Sequence, residues 1–236
     1  MKTLTWEEFA AGALRGRPIA ATIGVFDGLH MGHRALIDRV LQEEALSSAV
    51  FTFKENPKRI LAPSAFQGEL STLAQKLELI ESLGVETCVL IDFSGDFSKL
   101  PGRQFLSMLA LGAGLRFFAV GSNFRCGHRL DTDAEGIRSF CSSREIGFDS
   151  LPAVSWAGHP VSWSRIRSAV REGKREEAAT MLGRPYELVL GAASQVLPPA
   201  GVYEARLALS SGAIDVEAAL DAEGQWTPLG SEGTRV

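Results

Sequence analysis

Cysteine is scarce in this sequence and never paired. The three present, Cys88, Cys126 and Cys141, are odd in number and scattered, with no CxxC spacing. That argues against a disulfide framework, a zinc knuckle and a redox motif, and fits reduced thiols in a cytoplasmic protein. Long apolar runs are missing as well. Nothing approaches the ~18 residues of a membrane-spanning helix, and Met1 to Glu8 carries no apolar signal core, so no membrane partner is expected. Basic excess is lacking too: 24 Lys and Arg against 28 Asp and Glu leave a net charge of -4. Bulk positive charge for holding nucleic acid is therefore absent. There is no internal repeat or low-complexity tract. What remains is a chain of 236 residues, 45% hydrophobic and 22% charged, long enough to bury a substantial core.

Short apolar runs alternate with helical patterns through most of the chain. Strands are expected at Ile19 to Val25, Ala49 to Phe53, Thr87 to Phe93, Phe117 to Gly121 and Phe148 to Val154. Helices are expected from about His33 to Leu46, from Ser71 to a stop at Gly84, over Gln104 to Leu111, and from Asp133 to Arg144. The alternation predicts an α/β fold: a Rossmann-like open parallel sheet with helices on both faces. Two short helices, Ser164 to Glu172 and Arg175 to Leu182, lead into Gly183-Arg184-Pro185. Beyond them Tyr186 to Leu190, Val202 to Leu209 and Ala213 to Leu220 read as strands punctuated by glycine and proline. This places a boundary near Pro185, with residues 1–185 as the main domain and 186–236 as a short C-terminal β-rich appendage packed on it.

Ligands of open parallel sheets bind beyond the carboxyl ends of the strands. The segment Gly24-Val25-Phe26-Asp27-Gly28-Leu29-His30-Met31-Gly32-His33 lies at such an end. Its glycines permit a tight turn and close approach to a ligand. His30 and His33 are three apart, a spacing that can put both on one side of a helical turn. The N-terminus of the following helix favours phosphate at the same place. Neither the Walker spacing nor GxGxxG is present. On spacing alone, a triphosphate cradle and an ordinary structural turn both fit, although two of only four histidines sit here.

This segment resembles the HxGH signature of nucleotidyltransferases, and more narrowly the GxFDGxHxGH form of the FAD synthetase module in bacterial riboflavin kinase/FAD synthetases. Further stretches resemble that module in the same order: Thr52-Phe53 with Pro57, Ile91-Asp92-Phe93 with Phe97, Val120 to Gly127, Val161 to Arg167, and Leu182-Gly183-Arg184-Pro185-Tyr186. The resemblance runs from about Thr22 to Tyr186. It implies an FMN adenylyltransferase, converting FMN and ATP to FAD and pyrophosphate with Mg²⁺. ATP and FMN are then its small-molecule partners.

The resemblance also implies roles. His30 and His33 would contact the phosphates, with Arg167, Ser162 and Ser164 holding the β,γ-phosphates. Gly24, Phe26 and Gly32 would shape the ATP side, and Asp27 would order the loop. Phe53, Pro57, Asp92, Phe97, Asn123 and Arg125 would line the substrate side, Asn123 doubling as a Mg²⁺ ligand. Several positions depart from the pattern. Trp163 stands where a serine is usual and Ser164 where threonine is. Asn56 takes the place of a frequent histidine, Cys126 that of an aromatic, and Leu130 to Asp133 that of a glycine-containing turn. Most of these lie near the flavin side, so an adenylyltransferase for another phosphorylated substrate also fits. So does a non-catalytic flavin- or nucleotide-binding protein. No GxPTxN motif of the riboflavin kinase barrel follows Pro185, and only Leu197 to Tyr203 resembles a fragment of it. The tail is therefore expected to be a degenerate remnant without kinase activity.

Overall fold

The computed structural model describes residues 1–93, 97–192, 194–209 and 212–229. In chain order the strands are β1 (Lys2–Thr5), β2 (Leu14–Ile23), β3 (Ser47–Phe53), β4 (Thr87–Ile91), β5 (Ala113–Gly121), β6 (Arg125–Cys126), β7 (Thr132–Asp133), β8 (Gly147–Leu151), β9 (Ser155–Trp156), β10 (His159–Pro160), β11 (Gly201–Leu209), β12 (Gly212–Leu220) and β13 (Trp226–Leu229). The helices are α1 (Trp6–Ala10), α2 (Met31–Leu41), α3 (Pro57–Leu61), α4 (Leu73–Ser82), α5 (Gly102–Gly112), α6 (Ala134–Ser142), α7 (Trp163–Arg171) and α8 (Arg175–Leu182).

Six strands form the main sheet in the order β1-β4-β3-β2-β5-β8, and every neighbouring pair is parallel. Both faces are covered, which is why β2, β3 and β4 carry near-continuous apolar runs. Alternate residues sort to the two faces. Ile19, Ala21, Ile23, Ala49, Phe51, Val89 and Ile91 join a core with residues of α1, α5 and α6. On the other face Val50, Cys88 and Leu90 pack with Ile37 of α2 and Ile80 of α4. The three cysteines are unpaired thiols.

The expected Rossmann-like sheet is present, with its edges shifted for identifiable reasons. β2 begins at Leu14, earlier than expected, because Leu14 pairs with Ala113 before a register shift that accommodates Pro18. It ends at Ile23, where the chain leaves for the glycine-containing loop. α4 starts at Leu73, one residue beyond its N-cap Thr72, which forms a capping box with Gln75. β1, α1 and α3 went unforeseen, as did β13.

One expected strand is absent: Tyr186 to Leu190 is irregular. A side chain takes the place of a neighbouring strand there. The amide of Gln195 accepts from the Val189 N–H at 2.8 Å and donates to the Glu187 carbonyl at 3.2 Å. The segment beyond Pro185 meets the chain just before α4. A parallel bridge joins Glu69 to Gln195, and the Val196 N–H reaches the Glu69 carbonyl at 2.9 Å. The chain then forms an antiparallel meander of β11, β12 and β13.

Candidate active site

The order of the sheet locates the site. Chain progress runs from β2 outward through β3 and β4, then returns to the opposite side of β2 as β5. The crevice beyond β2 and β5 is thus the topological switch point where open sheets bind ligands. The loop after β2 carries His30 and His33, and the loop after β5 carries Asn123.

Residues 24–30 form a tight reversal rather than a plain turn. Phe26 adopts a left-handed backbone (φ 51°) while its side chain is fully buried. Its ring folds back over Gly24, where a Cβ would lie 3.1 Å from the ring. Gly28, at φ 70°, sits where a Cβ would come 2.9 Å from Leu70. Here the backbone conformation and the close approach both require glycine.

Asp27 is turned inward and nearly buried. One of its oxygens accepts from the backbone N–H groups of Leu70 (2.7 Å) and Ser71 (3.2 Å), and the other from the Arg167 guanidinium at 2.8 Å. Ser71 Oγ in turn accepts from the Gly28 N–H at 3.0 Å. Arg184 donates to the Gly28 carbonyl at 2.9 Å, so the LGRPY stretch closes onto the loop as well. Asp27 therefore ties the loop to the segment before α4 and to α7. Arg167 is only 2% exposed and stands beneath the loop as the partner of Asp27. Its guanidinium also lies over the Trp163 ring at 4.3 Å. Its Nε is buried without a hydrogen-bond partner among the protein atoms described.

His30 caps α2, its Nδ1 accepting from the Gly32 N–H at 3.2 Å. The N–H groups of His33 and Arg34 both reach the His30 carbonyl, at 2.8 and 2.9 Å. In the first turn the N–H groups of Gly32, His33 and Arg34 thus all find partners on His30. Because Nδ1 of His30 is an acceptor, its proton sits on Nε2, which remains a donor. The two imidazoles stack with centroids 3.7 Å apart and planes 16° from parallel. Phe26 meets His33 edge-on at 5.1 Å. Burial lowers the His30 pKa to about 4. Burial also holds His33 well below its ordinary value, with His30 and Lys76 pushing the same way. Both rings are neutral at physiological pH. His33 Nδ1 is buried without a hydrogen-bond partner among the protein atoms described.

The remaining expected residues fall in two groups. Ser162 caps α7, accepting from the Arg165 N–H at 3.4 Å, and its hydroxyl lies 3.1 Å from that of Ser164. Trp163, between them, lies under the Lys58 ammonium at 3.8 Å. Of the residues expected on the substrate side, Phe53 and Phe97 form edge-on ring contacts with each other and with Phe93, with centroids 5.7–6.4 Å apart. Phe97 also touches Trp6 and Phe105. Asn56 is buried as the cap of α3, and Pro57 is its first residue. Asp92 follows β4 and is exposed. Asn123 is exposed beyond β5, whereas Arg125 lies 3.6 Å from Asp133 in an exposed ion pair.

Sequence reasoning missed Leu70, Ser71, Lys76 and Gln195. For Lys76 a signal existed: a lysine sits on the apolar stripe of α4 formed by Leu73, Leu77 and Ile80. The backbone contacts of Leu70 left no mark in the sequence.

A glycine-built loop at a switch point, closed by a stacked pair of neutral histidines, defines an α/β nucleotide-handling protein of the HxGH kind. The FAD synthetase family profile matches residues 14–165, and the chain belongs to that family. It is 26% identical over 200 residues to an FAD synthetase of Listeria monocytogenes, covering 80% of this chain and 81% of that protein. It is 31% identical over 174 residues to the bifunctional riboflavin kinase/FMN adenylyltransferase of Escherichia coli. There the match covers 71% of this chain and about half, 55%, of the relative. A solved structure of a macrolide-efflux protein from Streptococcus pneumoniae superposes with a TM-score of 0.82 at 21% identity. It covers 99% of this chain and 94% of that one, so its fold extends through the C-terminal meander.

Proposed function

We propose that this protein is an FMN adenylyltransferase, joining the AMP portion of ATP to FMN with release of pyrophosphate. The FMN phosphate oxygen attacks the α-phosphorus, a P–O bond forms, and the bond to pyrophosphate breaks. No covalent enzyme intermediate is required, so catalysis is positioning plus stabilisation of phosphate charge. The stacked, neutral His30–His33 pair at the switch point carries this reading. Neutral imidazoles act as directed N–H donors to developing phosphate charge, with no need to gain or lose a proton. Nε2 of His30 is fixed as such a donor by its Gly32 contact.

Gly24, Phe26 and Gly32 shape the nucleotide side, and Ser162 and Ser164 present two adjacent hydroxyls to the β,γ-phosphates. Arg167 serves as the positioning partner of Asp27. The ring cluster of Phe53 and Phe97, with Pro57, Asp92 and Arg125, forms the flavin side. A magnesium ion bound with the nucleotide would neutralise the leaving pyrophosphate. The exposed carboxamide oxygen of Asn123 is the hard, neutral ligand such an ion takes beside waters and phosphate oxygens. Residues 1–185 form the nucleotidyltransferase domain in this reading, and 186–236 a β-rich remnant of a riboflavin kinase-like barrel. The protein is assigned to the cytoplasm.

Incubation with ATP and Mg²⁺ and either FMN or other phosphorylated acceptors, followed by chromatography, tests the assignment. FAD and pyrophosphate in equal amounts are expected from FMN. Turnover of another acceptor in preference would favour the second reading, which the inward-turned Asn56 supports. Tight binding without pyrophosphate release would leave a binding protein.

A further inference from the structure

Lys76 is 6% exposed, yet it carries an amine into the face of α4 that packs against the sheet. Its Nζ donates to the Phe53 carbonyl at 2.7 Å and the Val25 carbonyl at 3.3 Å. These carbonyls follow two adjacent parallel strands. Val25 leads directly into Phe26 and the histidine loop. Phe53 ends β3 and leads into the segment of Asn56 and Pro57. Thr52 Oγ1 donates to the same Val25 carbonyl at 3.1 Å.

We propose that Lys76 is a positioning residue for adenylyl transfer: its ammonium ties the nucleotide-side loop after β2 to the flavin-side segment after β3. The inference rests on the FMN adenylyltransferase reading. A near-attack arrangement needs the two substrates held to within a fraction of an ångström, and displacement of about 1 Å can cost ~100-fold in rate. A flexible apolar side chain on α4 could fill the space but could not hold two carbonyls at once.

The surroundings suit a resident cation. Asp27 from the loop and Glu69 from the segment before Leu70 favour the charged form, against the burial that lowers the Lys76 pKa. Burial raises the Glu69 pKa, with the Asp27 charge adding to it and Lys76 opposing it. Cys88 from β4 also faces the amine, and burial pushes its thiol up to about 12, so it supplies no competing thiolate. His33 from α2 feels the Lys76 charge in addition to burial and His30. Lys76 thus acts on the site in two ways, by geometry and by charge.

The test uses the full chain with Lys76→Gln, which loses the charge, and Lys76→Arg, which keeps it. Steady-state kinetics with FMN and ATP should show kcat of Lys76→Gln reduced about tenfold or more, with KM for ATP moved less than about threefold. Lys76→Arg should recover part of the loss. Histidine-ring NMR titration should show the His33 midpoint higher in Lys76→Gln and unchanged in Lys76→Arg. Wild-type kcat in Lys76→Gln, or an unmoved His33 midpoint, overturns the proposal. Should Lys76→Gln fail to fold, Lys76→Arg decides alone, and a displaced His33 midpoint in that variant overturns it. The titration needs no FMN turnover. A wild-type protein that makes no FAD would defeat the functional reading while leaving the titration result to stand.

Discussion

His30 accepts a hydrogen bond through Nδ1, which excludes a proton there, and its 6% exposure disfavours the charged ring. Its pKa, lowered to about 4 by burial, makes a pH prediction with a definite sign. Between pH 6.5 and 4 the unfolded chain binds a proton at this residue that the folded chain rejects. Stability is therefore full above about pH 6.5 and declines as pH falls toward 4, by about 3 kcal/mol in all. Urea unfolding across this range should show the decline, and His30→Gln should make it shallower, leaving the share of His33. A variant with the wild-type slope would show that the loss arises elsewhere. At this scale the histidines were legible because spacing of three places them on one helical turn. Arg167 was legible as a site candidate, but its ion pair was not, since Asp27 lies 140 positions away in sequence.

The loop after β2 is an element held from three directions. Leu70 and Ser71 grip Asp27 from the segment before α4, Arg167 reaches it from α7, and Arg184 holds Gly28 and Leu29 from beyond α8. Asp27→Asn removes one charge of a buried ion pair and leaves a guanidinium uncompensated, which costs about 3–5 kcal/mol. Denaturant unfolding of Asp27→Asn should show that loss, and nucleotide affinity should fall with it because the loop is released. Stability within about 0.5 kcal/mol of wild type would mean the pair does not organise the loop. The sheet strands and longer helices were legible because apolar period and glycine or proline stops agree. Tyr186 to Leu190 was not, because an apolar run looks the same whether a strand or the amide of Gln195 meets its backbone.

Across the whole molecule, the family profile ends at residue 165, but the contacts that hold the histidine loop extend past it. Gln195 donates to the Leu70 carbonyl and to Gln75, and Ser194 to Glu69, so the chain beyond Pro185 supports the segment that grips Asp27. The meander of β11, β12 and β13 carries no GxPTxN sequence. Riboflavin supplied with ATP and Mg²⁺ is accordingly expected to yield no FMN from these 236 residues. Chromatographic detection of FMN would contradict the reading of the tail. In this region the LGRPY stretch at its start and the strands at Val202 to Leu209 and Ala213 to Leu220 were legible in the sequence. Its docking was not legible, because Gln195 and Ser194 meet partners more than 100 positions away in sequence.

The most direct measurement of the central claim is transfer of label from ATP marked at its α-phosphate into FAD, in the presence of FMN and Mg²⁺. The wild-type protein should place the label in FAD, with unlabelled pyrophosphate released. His33→Ala should reduce the rate about 100- to 1,000-fold, as loss of a preorganised donor to a charged transition state does elsewhere. Absence of labelled FAD from the folded wild-type protein, or an equal rate from His33→Ala, would contradict the account.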